Sequence, residues 1–347
     1  MINRQDAILT TRQSKQIITV EKLSKTFSDG KIKAVDGVSF DVRVGEIFGF
    51  LGPNGAGKTT TINMLTTLLK PSSGTAEVCG YNVYKHANEV RRSVGVVPQE
   101  YTADEEMTGY DNIILCADLY GMPRNNSKPH AEELLRLVEL SDAANRKVST
   151  YSGGMRRRLE LACGLINYPA LLFLDEPTLG LDVQTRAAVW KYIRMLKDQY
   201  HMTLFLTTHY LEEADALCDR IAIIDHGHIV KIGSPDELKA SVGGDVITLS
   251  VKEREPDLSS DIAQMELVKD VKKTESSYRV KAELGEEAAP QIMDLIRSKG
   301  LHVTKISLTK PTLDEAYLEF TGRELREEES DRMQMFSQRL TMRRARS

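Results

Sequence analysis

A glycine-rich loop between an apolar strand and a helical segment constrains the fold of this chain more than any other feature. Residues 47–51 (IFGFL) are apolar on both faces of an extended chain, and residues 52–60 (GPNGAGKTT) follow at once. The loop matches the pattern G-x-x-x-x-G-K-[ST], in which glycines let backbone N–H groups curl around a phosphate. A helix that begins near Thr59 would add the partial positive charge of its first turn. This context predicts a nucleotide-binding α/β domain.

Further apolar runs indicate that the strand before this loop belongs to a parallel sheet. Residues 171–174 and 204–206 are apolar throughout, as expected of strands covered by helices on both faces. Segments with helical periodicity separate these runs. Residues 17–44 instead alternate apolar and polar side chains, which predicts half-buried antiparallel strands. Helical spacing over about residues 100–165 predicts a helical subdomain inserted into the α/β core.

The chain beyond the glycine pair at 243–244 follows a different pattern. Strand-like and helical segments succeed one another in the order β-α-β-β-α-β, which is typical of a ferredoxin-like module. A length of 347 residues leaves room for about two domains. We therefore expect a polar leader over residues 1–16, a nucleotide-binding domain over 17–240, an α+β extension over 245–320 and a charged tail over 321–347.

Composition excludes several classes of protein. The net charge of −4 disfavours a general nucleic-acid binder, which needs excess Lys and Arg to neutralise phosphates. No apolar run approaches the roughly 20 residues of a membrane-spanning helix. The N-terminus lacks the apolar segment of a secretory signal, and four dispersed cysteines are typical of a reduced, cytoplasmic protein.

Two adjacent carboxylates follow the strand predicted at residues 171–174. Asp175 and Glu176 stand at its C-terminal end, where α/β sheets bind ligands. Asp175 suits the coordination of Mg²⁺, and Glu176 suits the orientation or deprotonation of an attacking water. In the loop, Lys58 is placed to bind the β- and γ-phosphates, and Thr59 to offer its hydroxyl to Mg²⁺.

A serine-glycine-glycine segment makes the resemblance specific. Residues 151–155 (YSGGM) resemble the LSGGQ signature of ATP-binding cassette (ABC) ATPases, and the other motifs stand in the order of that family over about residues 17–235. In that family the signature contacts the γ-phosphate of ATP held by the other subunit. The resemblance implies a P-loop NTPase core with an antiparallel β subdomain and a helical subdomain, plus a small α+β C-terminal domain.

The resemblance also implies roles for individual residues. Phe27 stacks on adenine, Gln99 belongs to the Q-loop, Asp182 to the D-loop, and His209 contacts the γ-phosphate. The implied catalytic residues are Glu176, His209 and Gln99, and the implied Mg²⁺ ligands are Thr59, Gln99 and Asp175. The implied ATP-binding residues are Phe27, Gly52, Pro53, Asn54, Gly55, Ala56, Gly57, Lys58, Thr59, Thr60, Ser152, Gly153, Gly154 and Asp182.

Two longer segments narrow the resemblance. Residues 151–162 (YSGGMRRRLELA) and 311–324 (PTLDEAYLEFTGRE) are similar to ATPase subunits of ABC-2-type exporters, especially the daunorubicin-resistance group. This implies a homodimer around two ATP that drives a separate integral-membrane permease from the inner face of the cell membrane and exports drug-like or lipophilic compounds. Tyr151 and Met155 replace the usual Leu and Gln, so Met155 is left out of the site. We expect residues 156–158 (RRR) to form a solvated or interface-facing helical turn.

Two other functions are compatible with the same motifs. One is a soluble ABC ATPase of translation or DNA maintenance, which the single phosphate loop, the acidic charge and the lack of room for a long coiled coil disfavour. The other is a regulatory module that binds ATP without turnover, which the presence of Glu176 and His209 disfavours.

Overall fold

The computed structural model describes residues 16–27, 30–252, 257–274 and 277–322. The predictions for residues 1–15 and 323–347 lie outside the described residues. Contacts divide the chain into two compact units, the first ending at Ile232 and the second beginning at Gly233. None of the helices described has both the length and the apolar composition needed to cross a membrane.

Two sheets, seven α-helices and two short 3₁₀ helices build the described part of the first unit. The strands are β1 (Gln16–Phe27), β2 (Ile32–Arg43), β3 (Ile47–Leu51), β4 (Ser73–Val78), β5 (Tyr81–Asn82), β6 (Val94–Val97), β7 (Leu171–Asp175), β8 (Thr203–Thr208), β9 (Arg220–Asp225) and β10 (His228–Gly233). The helices are α1 (Lys58–Leu65), α2 (Ala87–Ser93), α3 (Gly109–Leu119), α4 (Arg124–Leu137), α5 (Gly153–Leu165), α6 (Val183–Tyr200) and α7 (Leu211–Leu217).

Six strands in the order β10-β9-β3-β8-β7-β6 form the central sheet. Strands β3, β7 and β8 are buried along their whole length, which confirms the prediction from their apolar sequences. They pair in parallel, and the register sets Leu51 beside Thr208 and Asp175 beside Thr207. The residues that follow these three strands therefore meet at one edge of the sheet.

Four strands in the order β2-β1-β4-β5 form an antiparallel sheet, as the alternation over residues 17–44 predicts. Ile18 of β1 is buried and opposes Val42 of β2. The apolar core continues into the central sheet, where Phe40 stacks on Phe48 with ring centroids 5.6 Å apart. Apolar burial of this kind, at about 25 cal/mol per Å², holds the two sheets together.

Helices α3, α4 and α5 form the helical insertion expected over about residues 100–165. The Thr108 hydroxyl caps α3 by accepting a hydrogen bond from the Asp111 N–H (3.1 Å). The Ser152 hydroxyl caps α5 by accepting from the Met155 N–H (3.3 Å). Both caps satisfy N–H groups that the first helical turn leaves without partners.

The expectation for the arginine run at residues 156–158 is wrong for its central residue. Arg157 is only 1% exposed, and its guanidinium donates to the carbonyl oxygens of Pro98 (2.8 Å) and Gln99 (2.9 Å). It also lies over the ring of Tyr101. The planar fork of arginine suits a pair of neighbouring carbonyls, and helical spacing alone does not reveal that the loop after β6 covers this face.

The second unit contains α8 (Pro235–Ala240), β11 (Asp245–Val251), α9 (Ser259–Ala263), β12 (Val268–Thr274), β13 (Ser277–Ala282), α10 (Gly285–Ser298), β14 (Val303–Thr309) and α11 (Leu313–Thr321). Its strands pair antiparallel in the order β12-β13-β11-β14, the arrangement of a ferredoxin-like module. The sequence prediction grouped α8 with residues 17–240. In the structure α8 packs against α11, and the division between the units falls before it.

Candidate functional site

The loop between β3 and α1 packs so closely on its surroundings that two positions require glycine. A Cβ atom at Gly52 would lie 2.1 Å from the carbonyl oxygen of Ile224, and one at Gly57 would lie 2.4 Å from that of Ala34. Gly57 also has a φ of +107°, which other residues rarely adopt. The backbone thus curls tightly into α1, which begins at Lys58, within one residue of the predicted start. Helix N-termini of this kind attract anions.

Lys58 lies at the centre of the site and is 4% exposed. Its Nζ donates to the carbonyl oxygens of Gly52 (2.7 Å) and Pro53 (3.2 Å), and lies 3.0 Å from Oε1 of Glu176. A buried ion pair is tolerated only when hydrogen bonds satisfy its remaining polar atoms, as the two carbonyls do here. The positive charge is therefore fixed between the loop and the end of β7.

Glu176 has a left-handed backbone conformation, with φ +47°. Such a conformation costs a non-glycine residue about 1–2 kcal/mol. The Glu176 N–H holds it by donating to the carbonyl (3.2 Å) and hydroxyl (3.0 Å) oxygens of Thr207. The side chain lies between Lys58 and His209, whose Nδ1 is 3.1 Å from Oε2 of Glu176. Each carboxylate oxygen thus has its own partner.

Asp175 occupies the last position of β7. Its Oδ1 accepts hydrogen bonds from the hydroxyls of Thr59 (3.2 Å) and Thr207 (2.5 Å). Carboxylate and hydroxyl oxygens suit Mg²⁺, which usually takes one or two protein ligands and completes its shell with phosphates and water. Across the part of the chain that the structure describes, no cluster of three or more His, Cys, Asp or Glu could hold a metal by itself. Thr59 and Asp175 therefore fit a Mg²⁺ ion that arrives with a phosphate ligand.

The two neighbouring carboxyl groups have pKa values displaced in opposite directions. Burial raises the pKa of Asp175, against the hydrogen bonds from Thr207 and Thr59. Burial also acts to raise the pKa of Glu176, but the hydrogen bond from His209 and the charge of Lys58 outweigh it, and the pKa is lowered. Glu176 is thus the carboxylate that its surroundings keep ionised and able to accept a proton.

The signature segment occupies a separate position. Ser152 and Gly153 are exposed at the N-terminus of α5, and a Cβ at Gly154 would lie 2.5 Å from Cγ2 of Thr185 in α6. Asp182 is exposed and caps α6 by accepting from the N–H (2.9 Å) and hydroxyl (2.7 Å) of Thr185. The signature and the D-loop residue therefore lie side by side at the N-terminal ends of two helices.

The tyrosine that replaces the usual leucine of the signature has a structural explanation. Tyr151 is buried, and its hydroxyl donates to the carbonyl oxygen of Ala143 (2.7 Å). A Cβ at Gly109 would lie 2.2 Å from that hydroxyl oxygen. Tyr151 thus anchors the signature to the helical insertion through a contact that leucine could not make.

Phe27 and Gln99 stand at the ends of two other strands. Phe27 is the last residue of β1, is 38% exposed, and has Nζ of Lys25 5.1 Å from its ring centre. This exposure leaves ring surface available for stacking. Gln99 is exposed two residues beyond β6, which pairs in parallel with β7, so it lies at the same sheet edge as Asp175.

The structure joins one part of the predicted site by direct contacts and keeps another part separate. The directly connected residues are Lys58, Thr59, Asp175, Glu176 and His209. The signature residues instead contact the start of α6. Sequence reasoning missed Thr207, which holds both carboxylate residues; its one signal is a polar residue near the end of the apolar strand β8.

Comparison with known proteins gives matches along most of the chain. The ABC transporter family model matches residues 35–179, and the model for the C-terminal domain of DrrA1-3-like ATP-binding proteins matches residues 233–321. The doxorubicin resistance ATP-binding protein DrrA of Mycobacterium tuberculosis (strain CDC 1551 / Oshkosh) is 47% identical over 232 residues, which are 67% of this chain and 70% of that protein.

Two further comparisons cover different lengths of the chain. The daunorubicin resistance ATP-binding protein DrrA3 of Streptomyces coeruleorubidus is 40% identical over 316 residues, which are 90% of this chain and 98% of that protein. A solved dimer of the ATP-binding cassette MJ0796, in a post-hydrolysis state with ADP and Pi, is 25% identical with a TM-score of 0.57. That match covers 62% of this chain and 98% of the cassette.

The fold, the order of motifs and these matches together define an ABC ATPase. The chain belongs to the ABC transporter family, whose nucleotide-binding subunits hydrolyse ATP. Within that family it carries the C-terminal domain of the DrrA-like ATP-binding proteins. The fold class and the family predicted from the sequence are confirmed.

Proposed function

We propose that this chain is the ATP-hydrolysing subunit of an export pump for drug-like or lipophilic compounds. It acts as a cytoplasmic homodimer, peripheral on the inner face of the cell membrane, and drives a separate integral-membrane permease. The observation that carries the proposal is the buried cluster of Lys58, Glu176 and His209 beside the phosphate-binding loop. The substrate class is supported by relatives named for resistance to doxorubicin and daunorubicin.

The residues of the cluster divide the chemistry between them. Backbone N–H groups within residues 54–60 and the Lys58 ammonium bind the phosphates of ATP. Glu176 orients or deprotonates the attacking water, and His209 contacts Glu176 and the γ-phosphate. Phosphate competes with Glu176 for Lys58, so ATP binding weakens one of the interactions that lower the pKa of Glu176. The carboxylate becomes a stronger base when substrate is present.

Mg²⁺, when bound, neutralises charge on the phosphate oxygens. Thr59 and Asp175 hold it through hydroxyl and carboxylate oxygens, and the Gln99 amide contributes from the end of β6. Phe27 supplies a ring face for adenine at the end of β1.

Each ATP lies between two copies of the chain in this proposal. The exposed Ser152 and Gly153 at the N-terminus of α5 offer a hydroxyl, backbone N–H groups and the helix dipole to the γ-phosphate of the partner's ATP. Gly154 and Asp182 line the same face beside α6. Closure replaces water around the γ-phosphate with fixed dipoles. The solved dimer of a related cassette with ADP and Pi supports this arrangement.

Trapping of the closed dimer tests the proposal. We expect Glu176→Gln to bind ATP, to hydrolyse it slowly, and to elute as a dimer in size-exclusion chromatography with ATP and Mg²⁺ but as a monomer with ADP. Lys58→Ala is the control with weakened ATP binding, and it should stay monomeric with either nucleotide at an ATP concentration that just saturates Glu176→Gln. A wild-type chain that releases no phosphate from ATP, or a Glu176→Gln chain that stays monomeric in ATP, would contradict the proposal.

We assign the second unit a role in dimer stability or in coupling to transport. The match to the related cassette covers 98% of that cassette but only 62% of this chain. The cassette therefore has no room for a unit of this size. A chain that ends at Ile232 should therefore still bind ATP. A lower dimer fraction or ATPase rate in that chain supports the role, and unchanged values for both contradict it.

A further inference from the structure

A buried glutamate lies close behind the site, and the roles given above leave it unused. Glu213 belongs to α7, four residues after His209, and is fully buried. Burial of a carboxylate is unfavourable unless its oxygens accept hydrogen bonds. Burial raises the pKa of Glu213 even against the hydrogen bonds that it accepts. A group so unfavourable to bury requires a structural or functional reason.

Glu213 joins two segments that reach the site from different elements. Its Oε1 accepts hydrogen bonds from the Thr178 hydroxyl (2.8 Å) and from the Trp190 indole N–H (2.9 Å). Thr178 lies two residues after Glu176, in the loop between β7 and α6, and Trp190 lies in α6 itself. One oxygen atom therefore ties α7 to α6 and to the loop that carries Glu176.

A second link joins the same elements at Tyr210, the residue after His209. The Arg186 guanidinium of α6 lies 4.1 Å from the ring centre of Tyr210, and the ring of Tyr210 lies 4.0 Å from that of His209. The segment that carries His209 is thus fixed against α6 at two points. The 3.1 Å contact between His209 and Glu176 spans the two segments that Glu213 connects, so it depends on their spacing.

We propose that Glu213 is a positioning residue, which holds His209 at hydrogen-bond distance from Glu176. It acts through Oε1, the oxygen that accepts the hydrogen bonds from Thr178 and Trp190. The inference rests on the proposed function, in which Glu176 and His209 act on ATP. A substitution at position 213 that keeps the acceptor oxygen should therefore keep the ATPase activity. A side chain of similar size without that oxygen should lower it.

Three variants separate these cases. Glu213→Met removes the acceptor, Glu213→Gln retains an oxygen at the position of Oε1, and Glu132→Met, at an exposed position of α4, is the matched control. We expect Glu213→Met to lower kcat about 10–100-fold, since displacing reacting groups by about 1 Å has an effect of that order. The KM for ATP should stay within about threefold, because the phosphate-binding loop is intact. Glu213→Gln and Glu132→Met should stay close to the wild-type rate.

Trp190 supplies a second readout, because it is the single tryptophan of the 347-residue chain. Its emission should shift in Glu213→Met, where the indole N–H loses its acceptor, and should stay unchanged in Glu213→Gln and Glu132→Met. A thermal unfolding scan checks that each variant is folded. If Glu213→Met fails to fold, Thr178→Val removes one donor to the same oxygen and should lower kcat by a smaller factor.

The outcomes distinguish the positioning role from the function on which it rests. A Glu213→Met rate equal to that of Glu132→Met, or equal losses in the Met and Gln variants at position 213, would overturn the positioning role. A wild-type chain that hydrolyses no ATP would overturn the proposed function instead. In that case an unshifted Trp190 emission in Glu213→Met would also refute the tie between α7 and α6.

Discussion

The two units of the chain differ in what they bury. Every buried charged, amide or histidine side chain in the described part of the chain lies in the first unit, including Lys58, Glu176 and Glu213. The buried side chains of the second unit are aliphatic residues, Tyr278 and Tyr317. Buried charge is unfavourable unless specific partners compensate it, so packing alone does not account for the first unit. The contrast separates a unit built for chemistry from one stabilised by apolar packing.

The largest effect should come from the first unit. Glu176→Gln should lower kcat by about 10²–10⁴, the usual contribution of a general base, while ATP binding is retained because the amide keeps the shape of the side chain. Steady-state phosphate release and nucleotide titration measure the two quantities. Turnover at the normal rate would remove Glu176 from the role of base.

A core substitution in the second unit should affect stability and leave the chemistry intact. Ile292→Ala, in the buried face of α10, should lower the free energy of unfolding by about 2–5 kcal/mol. Ile306→Ala on β14 is the matched control, since Ile306 is 39% exposed and should change stability by less than about 0.5 kcal/mol. Urea unfolding measures both. A folded Ile292→Ala chain with a much lower ATPase rate would break the contrast between the units.

Removal of the buried ammonium should weaken nucleotide binding. Hydrogen bonds to charged groups contribute about 1.5–3 kcal/mol, so Lys58→Ala should lower ATP affinity about 10–100-fold. Lys85→Ala, at an exposed position of the same unit, should leave the affinity unchanged. Calorimetric titration compares the two variants. Normal affinity in Lys58→Ala would refute the assignment of the phosphate-binding loop.

The smallest expected effects are changes in folding stability with pH. The pKa of Glu176 is lowered, so its stabilising contribution is present above pH 4.5 and is lost as the pH falls through the lowered value. The pKa of Asp175 is raised, so the folded state loses stability as the pH rises from 3.8 through the raised value.

As the pH rises from 3 to 7, the free energy of unfolding of Glu176→Gln should therefore fall relative to that of the wild type. That of Asp175→Asn should rise relative to the wild type. Each effect amounts to about 1.4 kcal/mol per pKa unit of displacement. Denaturant unfolding at both pH values measures the differences. Trends of the same sign in the two variants would contradict the opposite displacements.

Local sequence was sufficient to predict which side chains lie together beside the loop at residues 52–60. Asp175 ends an apolar strand, Glu176 and His209 follow apolar strands, and Lys58 follows the loop after a third. Parallel strands bring their carboxyl ends to one edge of a sheet, so side chains at those positions lie close together. These residues could therefore be predicted from motif and strand pattern alone.

Contacts between polar groups far apart in the chain could not be predicted in this way. Arg157 binds the carbonyl oxygen of Gln99, and Glu160, one helical turn further along α5, accepts hydrogen bonds from the N–H groups of Thr102 and Ala103. Helical periodicity defines the faces of α5 but not which distant loop supplies polar partners for a charged residue on a buried face. The buried position of Glu213 escaped prediction for the same reason.

The claim that each ATP is bound between two subunits is tested most directly by dilution. The ATPase rate per chain should be measured over a range of protein concentrations, with the molecular mass determined by analytical ultracentrifugation at each concentration. We predict that the rate per chain falls as the dimer dissociates and that a strictly monomeric sample is inactive. A monomeric sample with full activity, unchanged on further dilution, would contradict the account.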